Sequence, residues 1–126
     1  MTGYVANIEQ ETLANENFRK VLFTTPLSQL VVMSLLPGEE IGEEVHTVDQ
    51  FFRIEAGAGK LMIDGVESVF EAEFAFVVPA GARHNVVNTS ASEKLKLYTI
   101  YTPPNHKAGT VHVTKTEALA DEKDHG

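Results

Sequence analysis

Four residues in this chain have the types and spacing to do metal chemistry. Glu44, His46 and Gln50 stand two and four residues apart within PGEEIGEEVHTVDQFFRIEAG, and His84 follows the turn of PAGARHNVVN. Side chains alternate faces along a strand, so on one strand the first three project to the same side. A carboxylate, an amide and two imidazoles brought together make a pocket for a divalent ion, with zinc, manganese, iron, nickel or cobalt chosen by geometry more than affinity. The competing reading makes Glu44 and Gln50 solvent-facing and the histidines polar neighbours, since a lone Glu-x-His is common by accident. Phe52, two residues past Gln50, is expected on the pocket wall, with Arg53 pointing away and Arg83 serving its turn. Tyr101 can bring a hydroxyl to the pocket. His106 and His112 lie further on, and either can fold back as an acid–base group near physiological pH.

The elements that must position these residues are short. From Phe18 onward, runs of Val, Phe, Leu and Ile are broken by Gly, Pro and Asx residues. The pattern predicts strands at 18–24, 28–36, 41–46, 50–55, 59–63, 66–70, 74–78, 84–88 and 95–101. Pro26 and Pro37-Gly38 supply turns, Asp64-Gly65 a tight hairpin, and Gly57 and Gly59 a close turn or bulge. Many short strands with no helix between them indicate an antiparallel sandwich or barrel. Ahead of them, NIEQETLANEN can form a short helix with Ile8, Leu13 and Ala14 as its apolar contacts. Behind them, Pro103-Pro104 forbid regular structure, so TPPNHKAGTVH is expected to cross the barrel as an extended arm. Thr114 to Glu117 fits a capping box ahead of a helix at Lys115–Ala120, with DEKDHG as a frayed end.

The whole chain of 126 residues is predicted to be one domain: barrel core 18–101, N-terminal arm 1–17, C-terminal arm and short helix 102–126. Without cysteine there are no disulfides or thiolate sites, and with no signal-like N-terminus the expected location is the cytoplasm. No apolar run nears the roughly 20 residues of a membrane helix. Eighteen acidic against ten basic residues leave a net charge of −8, which argues against nucleic acid. With three arginines (Arg19, Arg53, Arg83), the composition also argues against a phosphosugar. LVVMSLL and FAFVV are apolar on both faces, so both need covering. The second cover is assigned to another subunit, with Tyr98 and Ile100 at the interface, predicting a homodimer.

The two segments resemble the paired motifs of the cupin superfamily. The first motif runs Gly, five residues, His-x-His, three or four residues, Glu, six residues, Gly. Gly38, Glu44, His46, Gln50 and Gly57 occupy those positions. The second runs Gly, five residues, Pro-x-Gly, two residues, His, three residues, Asn. Pro79, Gly81, His84 and Asn88 match it, and Glu73 stands at its first glycine. The resemblance covers about residues 30–101. It implies an all-β fold, an antiparallel double-stranded β-helix or jelly-roll barrel, here with short N- and C-terminal helical segments. Residue by residue, it implies a metal held by Glu44, His46, Gln50 and His84, where the family usually has three His and one Glu. The carboxylate has moved to the first position, and an amide stands in the third.

This superfamily hosts many functions, so fold does not settle activity. The favoured expectation is a metal-dependent enzyme with isomerase-like Lewis-acid chemistry on a small polar or carbonyl substrate, with Glu44, Tyr101 and His106 as candidate catalytic groups. The alternatives are a non-catalytic small-ligand binding or sensor protein and an iron-dependent dioxygenase. Glu44 can be a ligand or, left free and desolvated, a general base with a raised pKa.

Overall fold

The broken hydrophobic runs become ten strands and two short helices in the computed structural model, which describes residues 1–125 and side chains as far as Glu122. In chain order these are α1 (Ile8–Ala14), β1 (Arg19–Thr24), β2 (Gln29–Leu35), β3 (Glu44–Val45), β4 (Asp49–Ala56) and β5 (Ala58–Ile63). There follow β6 (Val66–Glu71), β7 (Ala75–Val78), β8 (Arg83–Asn88), β9 (Leu95–Thr102), β10 (Val111–His112) and α2 (Lys115–His125). Two antiparallel sheets form, ordered β10-β1-β2-β9-β4-β7 and β3-β8-β5-β6. Met33, Leu35, Phe52, Ile54 and Leu97 of the larger sheet meet Leu61, Phe70 and Val86 of the smaller in one core. The fold is the all-β jelly roll expected. No described helix is long and apolar enough to cross a membrane.

Local chemistry explains most boundaries. Asp64 and Gly65 both take positive φ, 47° and 82°, as the two-residue hairpin between β5 and β6 demands. At Gly59 an added Cβ would lie 2.2 Å from the Val87 carbonyl oxygen and 2.8 Å from Phe70, so only glycine lets β8 approach β5 there. Asn88 ends β8 as a knot. Its buried amide donates to the carbonyls of Leu35, Leu36 and Glu93 and accepts from the Ser90 N–H, tying the end of β2 to the start of β9.

The structure corrects several expectations. The strand predicted over 41–46 shrinks to Glu44–Val45, so Glu44, His46 and Gln50 do not share one strand. The chain turns a corner at His46, where the His46 carbonyl accepts from the Gly81 N–H, and passes from the smaller sheet to the larger at β4. Period-two counting cannot see such a corner. The C-terminal arm is not wholly irregular either. Past the prolines, Arg19 and Lys20 pair with His112 and Val111, adding β10 to the sheet edge. On α1 the buried residue is Thr12, whose hydroxyl donates to the Ile8 carbonyl, while Leu13 and Ala14 face outward. Phe52 belongs to the core, its ring 4.8 Å from that of Phe76, rather than to a pocket wall.

α2 begins where the capping residues put it, with the Glu117 N–H donating to Thr114 Oγ1, but it continues past Ala120 to His125. Asp121 in that added turn bonds His112, which gives the extra turn an anchor. Gly126, the last residue of the expected frayed end, lies outside the described residues. The chain itself also covers part of the face assigned to a second subunit. α1 packs on β9, β4 and β2, and Lys96 Nζ bonds Asn15 O and Glu16, leaving Val32 1% exposed.

Glu73, at the first glycine of the second motif, sits at φ 76°. A left-handed backbone costs a residue with a Cβ about 1–2 kcal/mol, part of which is offset by glycine's greater unfolded-state freedom. Glu73→Gly should therefore raise stability by about 1 kcal/mol, or a thermal midpoint by about 3–5 °C. Differential scanning calorimetry checks this against Glu73→Ala, for which no gain is expected. An unchanged or lower midpoint for the glycine variant would contradict the strain argument.

Candidate functional site

Two strand registers and one corner assemble the candidate residues. Glu44 on β3 lies opposite His84 on β8, and Gln50 on β4 lies opposite Tyr101 on β9. His46, at the corner between the sheets, bridges the pairs, its ring centroid 5.3 Å from that of His84 and 6.0 Å from that of Tyr101. Sequence spacing and fold thus bring all four motif residues to one end of the barrel.

Hydrogen bonds decide which atoms are free. His84 Nδ1 lies 3.0 Å from the Ala82 carbonyl, which can only accept, so Nδ1 carries the proton and Nε2 keeps its lone pair. Thr99 Oγ1 donates to the Phe51 carbonyl and accepts from Gln50 Nε2 at 3.1 Å. That fixes the amide orientation and leaves Gln50 Oε1 buried with no partner. His46 Nε2 lies 3.3 Å from Glu44 Oε2. Among the described residues no three His, Asp or Glu side chains close a metal-ligand cluster by themselves.

A cavity of about 780 Å³ opens above these residues, lined by Glu44 and His46 from the barrel and by His106, His112 and Asp121 from the C-terminal segment. Gln50, His84 and Tyr101 are buried and do not line it. Both arm histidines therefore face the cavity. Gln29 holds the arm in place: its Nε2 donates to the His106 carbonyl at 2.7 Å, and its Oε1 accepts from the N–H groups of Asn105 and His106. Arg83 stands apart, exposed and 3.8 Å from Glu43. Arg53 is 2.9 Å from Glu55, also away from the cavity.

The residue that sequence reasoning missed is Arg19. Its side chain is 1% exposed, and its Nη1 donates to His112 Nδ1 at 3.2 Å. A guanidinium cannot accept, so His112 holds its proton on Nε2 and donates it to Asp121 Oδ2 at 2.8 Å. The available signal was phase. Arg19 alternates with Val21 on the inward face of β1, while Lys20 points out.

Burial and the Arg19 charge set the protonation states nearby. Burial pushes the Tyr101 hydroxyl up to about 12 against the opposing pull of Arg19, so it remains a neutral donor. Burial and then Arg19 push His106 down to about 3. His106 is therefore not an acid–base group near physiological pH. It stays neutral, its Nε2 3.3 Å from the Tyr101 hydroxyl. For Glu44, burial raises the pKa, but His46, Arg19 and His84 together outweigh it and the net direction is down.

The cupin domain family matches residues 31–101. The chain belongs to that family. Over 94% of its length this cupin is 47% identical to YrkC of Bacillus subtilis, an uncharacterized protein of which it spans 67%. It is 40% identical over 91% of its length to an uncharacterized protein of Acanthamoeba polyphaga mimivirus, spanning 74% of that protein. A crystal structure from Bacillus halodurans superposes with a TM-score of 0.92 at 42% identity, over 94% of this cupin and 95% of that chain.

His106 carries a pH signature. Its folded pKa lies below the unfolded value of about 6.5, so between the two the unfolded state binds more protons. That contribution is fully present above about 6.5 and is lost as pH falls toward about 3. The thermal midpoint should decline across this window, and His106→Gln should flatten the decline. Equal slopes in both proteins would contradict the assignment.

Proposed function

We propose that this cupin is a metal-dependent enzyme with isomerase-like Lewis-acid chemistry on a small carbonyl substrate. The observation that carries the reading is the unpartnered Gln50 Oε1, buried at the end of the barrel that holds the Glu44–His46 contact and the His84 ring. A buried polar atom without a partner is costly, and a cation is a natural way to satisfy this one. The donor set fits a divalent ion: one carboxylate, one amide oxygen and two imidazoles. His84 has its Nδ1 proton fixed on a carbonyl, which leaves Nε2 ready as a ligand. Glu44, His46, Gln50 and His84 would hold the ion, which when bound supplies polarisation of a substrate carbonyl.

The chain's own groups do the rest. Glu44 stays ionised, which suits a ligand better than a base of raised pKa. Tyr101, neutral over the working range, is positioned to donate from its hydroxyl, and His106 orients that hydroxyl without adding charge. The arm pinned by Gln29 forms one wall of the cavity.

Metal content of untagged protein, measured by mass spectrometry after reconstitution with zinc, manganese, iron or nickel, tests the reading. About one ion per chain is expected. His46→Ala and His84→Ala should each lower occupancy at least tenfold, Gln50→Ala should speed metal loss to a chelator, and Tyr101→Phe should leave occupancy unchanged. Less than about 0.1 ion per chain in the wild type would overturn the proposal.

A further inference from the structure

We propose that the substrate or ligand of this pocket is a small carboxylic acid whose carboxylate is received by Arg19. The inference deepens the preceding reading by naming the ligand class of the same site. Arg19 is a buried cation with no carboxylate of the described residues in direct ion-pair contact. Its Nη1 bonds a neutral acceptor, His112 Nδ1, and its Nε has no partner. None of the ion pairs among the described residues uses it. Glu44, whose field Arg19 does feel, directs its Oε2 at His46. A buried guanidinium with a donor left unmatched and its opposite charge out of contact is costly to hold.

The location argues for a ligand as the missing partner. His112, which accepts from Arg19, lines the cavity together with Glu44 and His106, so the guanidinium lies just behind its wall. His112 is locked by Asp121 as an acceptor toward Arg19 and does not neutralise it. A planar guanidinium matches a carboxylate through parallel N–H donors. The unpartnered Nε–H is one half of such a fork.

Among anions, the pocket favours a monoanionic carboxylate over phosphate. Arg19 and Lys107 are the cations at the site, set against the carboxylates of Glu44, Asp121 and Glu122 in the cavity lining, and the chain carries −8 overall. Phosphate sites gather several cationic or N–H donors around a double charge. The acidic wall would repel that second charge.

Isothermal titration calorimetry on chelator-treated protein in chloride-free, low-salt buffer tests this independently of any metal. Acetate, pyruvate and lactate would each be compared with acetamide, pyruvamide and lactamide, and with inorganic phosphate. At least one acid should bind saturably and at least tenfold more tightly than its amide and than phosphate. Arg19→Gln should remove that preference, and Arg19→Lys should retain part of it. If no acid outperforms its amide, or Arg19→Gln retains the preference, the proposal fails. Phosphate binding more tightly than every acid would also overturn it. Should the Arg19 variants not fold, the acid-against-amide comparison in the wild type still decides. Because the protein is metal-free here, loss of this inference leaves the metal measurement standing, and the reverse.

Discussion

A guanidinium held out of water is the constraint around which the open end of this barrel is arranged. Arg19 lies opposite His112 in the β1–β10 register, so the buried charge and the closing strand meet across one rung. That rung settles the His112 tautomer, which in turn gives Asp121 a donor and fastens α2 to the sheet edge. The same charge reaches Tyr101, His106 and Glu44, and in a low-dielectric interior such a field persists over several ångströms. The arm after Pro104 is therefore part of the electrostatic site as well as a wall. Gln29 completes the arrangement from the far side of β1, clamping residues 105 and 106 through three hydrogen bonds.

The barrel itself was largely legible because its signals are local. Asp64-Gly65 needs only the φ preferences of two residues, and the motif glycines at 38, 57 and 81 all sit at positive φ, where the pattern wants them. Glu73 is instructive because it departs from the pattern without changing the backbone, keeping the left-handed turn at a local cost. What was not legible depended on long-range geometry. β10 exists only because residues 111 and 112 return to pair with 19 and 20, more than ninety positions earlier. The buried face of α1 turns on Thr12, which satisfies its hydroxyl within the helix and so reads as polar while behaving as core.

The candidate site divides along the same line. Glu44, His46, Gln50 and His84 were identifiable from spacing, although the assumed geometry was wrong: a corner between two sheets, not one strand face, gathers them. Arg19 is invisible to a count of arginines across the chain. Three arginines argue against a broad anion-binding surface, but they say nothing about one inward arginine behind a pocket wall. Its phase with Val21 was the available clue, and a charged residue in phase with core positions is the kind of local inconsistency that points to function.

The two open roles of Glu44 are separated by its surroundings more than by its own chemistry. In an apolar pocket alone, desolvation would lift its pKa into the range of a useful base. Here the imidazoles of His46 and His84 and the guanidinium of Arg19 face it together, and the carboxylate is favoured in spite of burial. A carboxylate held ionised is a poor proton acceptor at neutral pH and a good donor of lone pairs to a cation. The displacement of the family's carboxylate from the third motif position to the first then has a physical sense. It sets the negative charge on the strand that lines the cavity, within the field of Arg19, and puts a neutral amide deep in the larger sheet, where a second buried carboxylate would be harder to accommodate.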